Sequence, residues 1–347
     1  MSTEHEIIIE SSEKAVLDVP RASRDNRIII PVNKANNKAQ VFLSYIYKMD
    51  DDDARQDLYD FIDQFLEQDQ QSGDADDFHN FAVDLARADE YVLACKVLEC
   101  GLGLFPKNVD LLADYLQFGV KCNKFDECKK VYKTINRVPR RRWTWRGFAF
   151  MVDYLLFLID RSDSEKIIEA KEKEILSVVA DYRKQFPYIE DSYRTEANVY
   201  RVLNLPDRET DVLRLALDNV IVAPKCALRY ADICFERGMY EEADKAIKRG
   251  ISDATQTQTS VNEGYIYYLS ALCKIAIALK KSDGINLNEE EVREIYSDFN
   301  IALSKFSYSK NSYSEVIRTK TNTIINKTGI EVDPEFELLC DCISTVN

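Results

Sequence analysis

Glycine and proline are scarce, at 10 and 8 of 347 residues, roughly 5% together against about 12% in an average protein. That deficit disfavours a turn-rich β sandwich or barrel and favours long helices with short connections. Histidine is almost missing, with only His5 and His79, so a Ser-His-Asp or Cys-His arrangement would have to rest on His79. No G-x-x-x-x-G-K-[ST] loop and no H-E-x-x-H occurs, and the G-x-G at Gly101 and Gly103 lacks its third glycine. The nine cysteines are odd in number and form no C-x-x-C pair. They read as reduced, mostly buried small hydrophobes rather than a disulfide framework or zinc site, with no secretory leader ahead of them. The longest apolar stretch, Phe148 to Ile159, contains Asp153 and is too short to span a bilayer. Bases are outnumbered 46 to 60, a net charge of −14, which repels nucleic acid over most of the surface. These absences lead to expecting no enzyme, no cofactor, no metal, no membrane anchor and a cytoplasmic or nuclear address.

What is present is helical periodicity. From Ala39 onward apolar residues recur about every 3.6 positions, as in Leu58, Phe61, Ile62, Phe65 and Leu66. Breaks are expected at 70–74, 105–108, 138–142, 186–188, 205–208, 223–225, 252–262 and 281–288. Phe105-Pro106 and Phe186-Pro187 set hard corners, because proline cannot continue a helix. Residues 1–38 differ: the β-branched runs Glu6–Glu10 and Arg27–Val32 lie in polar sequence and suggest a flexible tail or docked strands. Residues 39–282 are then a helical repeat domain and 283–347 a helical cap, with helices over Glu289–Lys305, Tyr313–Asn326 and Pro334–Thr345 shielding the last apolar face.

A period is visible. Phe78, Phe81, Ala82, Leu85, Tyr91, Ala94, Leu98, Gly101 and Pro106 are followed 34 residues on by Leu112, Tyr115, Leu116, Gly119, Phe125, Cys128, Tyr132 and Ile135, with Pro139 one place early. Ala227, Tyr230, Ala231, Cys234, Gly238, Tyr240, Ala243, Ile247 and Gly250 repeat it, starting 149 residues after the first unit, which is not a multiple of 34. Small residues at Ala82, Ala94, Ala231 and Ala243 let paired helices approach closely while aromatics fill the gap to the next pair. These slots resemble those of the tetratricopeptide repeat (TPR) family. The resemblance covers residues 75–142 and 224–257; residues 143–223 read as helix pairs that match few slots. It implies an all-α fold, a right-handed superhelical solenoid of antiparallel helix pairs with a helical C-terminal cap.

The resemblance also implies that the first helix of each pair lines a ligand groove. The positions carried over are Asp76, His79, Val83, Ala86 and Arg87; Asp110, Ala113, Gln117, Val120 and Lys121; and Lys225, Leu228, Asp232, Phe235 and Glu236. Val83, Ala113 and Leu228 stand where family members that clamp a terminal carboxylate use Lys or Asn, so that clamp looks absent. Charge adds a second candidate. Residues 50–90 hold 15 acids and 2 bases, whereas 121–146 hold 10 bases and 2 acids. This belt (Lys121, Lys124, Lys129, Lys130, Lys133, Arg137, Arg140, Arg141, Arg142 and Arg146) carries both tryptophans, Trp143 and Trp145. Arginine beside aromatic planes suits an acidic or phosphorylated peptide, or stacked bases of RNA; the alternative is that Trp143 is core and the arginines pair internally. The expectation is a non-catalytic scaffold or adaptor for a protein or peptide partner, with a nucleic-acid-binding helical protein as the alternative. The oligomeric state is left open.

Overall fold

The protein, described from a computed structural model, is all-α over residues 30–49, 52–68, 72–259, 263–281 and 289–306, with no strand among them. Four helices make one compact unit that ends at Pro106: α1 (Val32–Met49), α2 (Asp52–Leu66), α3 (Ala75–Arg87) and α4 (Tyr91–Leu104). A second unit starts at Lys107 and holds α5 (Val109–Lys121), α6 (Phe125–Ile135), a 3-10 turn (Arg140–Arg142), α7 (Trp145–Asp160), α8 (Glu165–Gln185), α9 (Glu190–Val202), α10 (Pro206–Asn219), α11 (Pro224–Glu236), α12 (Tyr240–Thr257), α13 (Glu263–Lys281) and α14 (Glu289–Phe306). Each unit is a stack of antiparallel hairpins, the TPR-like arrangement. In the first, α1 pairs with α2 and α3 with α4, and α3 packs on α1. In the second, α7 packs on α5, α9 on α7 and α8, α11 on α9 and α10, and α13 on α12 and α11.

Two boundaries differ from the sequence reading. The chain is helical from Val32, so residues 32–38 do not belong to a tail. Val32, Ala35, Ala39 and Phe42 fall on one buried face, and the Pro31 carbonyl accepts the first helical bond from Ala35, so proline starts this helix. At the other end α12 runs through the break expected at 252 as far as Thr257, where Gln258 turns left-handed. The run Glu6–Glu10 and the cap helices expected over Tyr313–Asn326 and Pro334–Thr345 lie outside the described residues.

The hairpin turns show why the stack is regular. Asp89, Asn123, Asn204 and Gly238 have φ of 61°, 61°, 54° and 75°, and each stands two residues before the second helix of its pair. Only Gly, Asn and Asp adopt this left-handed conformation at little cost. The next residue closes a six-to-one bond onto the first helix: Glu90 N to Leu85 O (3.0 Å), Lys124 N to Gly119 O (2.8 Å), Leu205 N to Tyr200 O (2.8 Å) and Met239 N to Cys234 O (2.8 Å). These are Schellman closures, which use carbonyls the helix end leaves unpaired. The α7/α8 hairpin has no such residue. Its helices are longer, 16 and 21 residues, which accounts for most of the offset between the first and third sequence matches.

Helix starts are fixed by side chains. Asp74 accepts from Asp77 N (2.9 Å) and Asp77 accepts from Asp74 N (3.2 Å), a closed capping box on α3. Asn108 and Thr144 accept from Leu111 N and Gly147 N, 3.0 Å each, at the starts of α5 and α7. Cys95, Cys128, Cys226, Cys234 and Cys273 are buried, Cys100 and Cys122 half-buried, and no disulfide joins any two of these seven.

Candidate interaction surface

The groove positions are divided between the two units. Asp76, His79, Val83 and Arg87 lie on α3 in the first unit, where Asp76 and Arg87 are exposed and His79 and Val83 half-buried. The residue that organises this face is Asp84, which the sequence reading missed. It accepts from Asn36 Nδ2 (2.9 Å) and Gln40 Nε2 (2.6 Å) of α1 and from Arg87 (3.1 Å), tying the two inner helices together.

In the second unit α7 and α9 separate the positions on α5 from those on α11. Asp110 accepts from Thr144 Oγ1 at 2.6 Å, so it locks α5 to the cap of α7 instead of facing a ligand. Gln117 and Val120 are half-buried and Lys121 and Lys225 exposed. Asp232 accepts from the Tyr265 hydroxyl of α13 and from Arg229; Glu236 is exposed and Leu228 packs against the core. Phe235 is a correction. It is fully buried in the core with its ring 5.4 Å from that of Tyr240. Ala86 and Ala113 are buried as well. The slot pattern alone cannot separate a groove position from a core position when both fall on the inward half of a helix.

Between α5 and α11 the inner surface carries a charged cluster. Asp153 of α7 faces Asp191 and Arg194 of α9; crowding by the protein, then the Asp191 charge, push its carboxyl up, and Arg194 opposes both. Asp191 pairs with Arg194 and accepts from the Tyr182 hydroxyl at 2.9 Å. Glu190 Oε1 accepts from Cys226 N at 2.7 Å, capping α11. Deeper ion pairs hold neighbouring helices: Arg183 to Glu196 at 2.5 Å, Arg229 to Glu209 at 2.8 Å and Arg146 to Asp114 at 3.7 Å. Glu196 and Asp114 are almost fully buried. A buried carboxylate left without its cation would be costly, so these pairs fix the mutual position of the helices.

The basic belt divides in two. Trp143 is a correction: only 2% exposed, it donates Nε1–H to Val138 O at 3.0 Å and packs 5.1 Å from Phe148, so it offers no stacking face. Arg140 reaches Asp181 (2.6 Å) and Ser177 (2.8 Å), Arg146 is held by Asp114 and lies over Trp145, and Lys129 pairs with Asp126 at 2.9 Å. Of the other cations Lys124 is half-buried, while Lys121, Lys130, Lys133, Arg137, Arg141 and Arg142 are exposed and make no ion pair with a described residue. Trp145 stays 44% exposed beside them. No group of described His, Cys, Asp and Glu residues could hold a metal ion, and no described helix is long and apolar enough to cross a membrane.

The sequence matches no protein-family model, and no curated protein matches it. Among solved structures the chain is similar to a thermophilic TPR protein of Thermus thermophilus (19% identity, covering 52% of this chain and 92% of that one, TM-score 0.41). It is also similar to PilF of Pseudomonas aeruginosa (12%, 68% and 93%, TM-score 0.48) and to PilW, a type IV pilus biogenesis factor (14%, 68% and 95%, TM-score 0.45).

Proposed function

We propose that this protein is a non-catalytic scaffold or adaptor that binds an acidic protein segment. The observation that carries the reading is the row Lys130, Lys133, Arg137, Arg141 and Arg142: five exposed cations without an ion pair among the described residues, in a chain of net charge −14. Arg183, Arg194, Arg229 and Arg249 of the same unit are by contrast engaged with its own carboxylates. Unpaired cations on one surface set the encounter rate and orientation of an oppositely charged partner more than its final affinity. The inner helices are braced by ion pairs and so present a preformed surface, which lowers the ordering cost of binding. Burial of Trp143 removes one of two stacking faces from the RNA reading, which favours protein. A cytosolic or nuclear address belongs to the same proposal and fits seven cysteines of which no two are joined.

The test is charge reversal. Arg137→Glu, Arg141→Glu and Arg142→Glu together touch no ion pair and leave folding intact. Association with the partner recovered from native extract is expected to slow about tenfold at low salt, and its salt dependence to flatten. Equal rates for both proteins at low and high salt would remove the cations from the mechanism.

A further inference from the structure

We infer a second contact surface along one edge of the second unit, formed by the connections that lead from each outer helix into the next inner helix, and built for an extended acidic segment carrying apolar anchors. This rests on the adaptor reading above but places the contact outside the groove. The three connections α6–α7, α8–α9 and α10–α11 lie side by side. Gln185 at the end of α8 donates to Trp143 O at 2.8 Å, and Arg140 of the 3-10 turn reaches Asp181 of α8. Glu190 at the start of α9 in turn caps α11 through Cys226 N.

Each connection is fastened from within. Ser192 Oγ donates to Phe186 O (3.0 Å) and Tyr193 to Pro187 O (2.8 Å). Asp253 accepts from Ala223 N (2.9 Å), and Arg249 donates to Val220 O (2.7 Å) and Leu217 O. On these fixed connections large apolar side chains stand in solvent: Trp145, Tyr188 at 79% exposure, Ile189, and Ile221 at 91%. Single exposed apolar residues are ordinary; three consecutive rigid connections that all carry one form a row. Arg141 and Arg142 flank its first member and Lys184 its second, with Asp218 the exposed acid near Ile221.

Positive charge beside the first two anchors selects an acidic occupant. Neighbouring packed helices stand about 8–10 Å apart, and a segment extended in the polyproline II conformation advances about 3.1 Å per residue and returns every third side chain to the same face. One anchor in roughly every three residues therefore keeps step with the row, and acids between anchors meet the arginines. Such a peptide can lie straight across the connections with no α-helix of its own.

The test uses the full chain and fluorescein-labelled peptides of about thirteen residues. One has Ile at every third position and Asp elsewhere, both poor helix formers; a second has the same composition with the isoleucines clustered; a third has Lys for Asp. Fluorescence anisotropy should show binding of the first peptide, at least tenfold weaker binding of the other two, and at least tenfold loss with Tyr188→Ser plus Ile221→Ser, whose exposed sites leave folding intact by circular dichroism. Asp153→Asn in the groove should leave the affinity unchanged. No binding, equal binding of the clustered or lysine peptide, retention of the first peptide by the serine variant, or loss with Asp153→Asn would each overturn the edge surface. A native partner slowed by the arginine reversals but indifferent to the serine pair would overturn it while leaving the adaptor reading in place.

Discussion

The hairpins α11/α12 and α7/α8 fulfil the same structural role by different physics. In α11/α12 the turn closes through Gly238, and Ala227, Ala231 and Ala243 are fully buried, so the helices approach closely. A Cβ placed on Gly250 would lie 2.9 Å from Leu228 Cδ2. In α7/α8 aromatic bulk does the packing. Phe148 stacks on Tyr182 with centroids 5.2 Å apart and planes 2° apart, Phe186 meets both edge-on, and Trp143 closes the cluster. Close approach through small residues leaves a fixed spacing in the sequence, whereas an aromatic cluster can be assembled from many spacings. A repeat architecture therefore continues through a stretch where the repeat pattern fades.

The contrast breaks most severely at Phe148. It is fully buried against three other rings, and Phe148→Ala leaves a cavity two of whose walls, Trp143 and Tyr182, are fixed by hydrogen bonds. The expected loss is about 3–5 kcal/mol, measured by urea denaturation, together with loosening of the Tyr182–Asp191 bond at the inner surface. A cost under about 1 kcal/mol would mean that the ion pairs, not the aromatics, carry this hairpin.

A smaller effect is expected at Asn204, which sharpens the comparison from the other side. The α9/α10 hairpin also escapes the side-chain slots, yet its turn is the standard one, with φ of 54° at Asn204. Asn204→Gly should hold or raise stability, while Asn204→Ala should cost about 1–2 kcal/mol because a Cβ crowds the following carbonyl in the left-handed region. Equal stability of the two variants would show that the turn is not strained.

Asn204 also marks what could have been read in advance. Asp89 and Asn123 are 34 residues apart, and so are Asn204 and Gly238. Tracking the left-handed turn residue would have identified α9/α10 as a regular unit and confined the irregularity to α7/α8. Helical class, the hairpin order and most breaks were legible because periodicity and Pro corners act locally. The surface was less so. Phe235 and Trp143 have the same composition value whether they face solvent or core, and the pairing of Asp110 with Thr144 depends on which helices the stack brings together. Ion pairs such as Arg183–Glu196 carry no sequence spacing of their own. The exposure of Tyr188 and Ile221 leaves no trace in the pattern at all.

The mildest test concerns pH and separates the two kinds of charged contact. On the outer side, Tyr132 of α6 donates to Glu174 of α8 at 2.5 Å, and Lys171 reaches Glu174 at 2.8 Å. Burial pushes the Glu174 carboxyl up, but Lys171 and Tyr132 outweigh it and hold it below its ordinary value of 4.5. A carboxylate with a lowered folded pKa binds fewer protons in the native state, so its stabilisation is complete above about pH 4.5 and fades as pH falls through the folded value. Asp153 is the reverse case: its raised carboxyl resists ionisation, so protonation as pH falls relieves the inner surface. Glu174→Gln should therefore lower stability at pH 7 and flatten the loss below pH 4.5, whereas Asp153→Asn should raise stability slightly at pH 7 and steepen the acid limb, because the relief that Asp153 protonation supplies is gone. Thermal melts from pH 7 to pH 3.5 read both, and parallel curves for the two variants would show that neither contact differs from a solvated carboxylate.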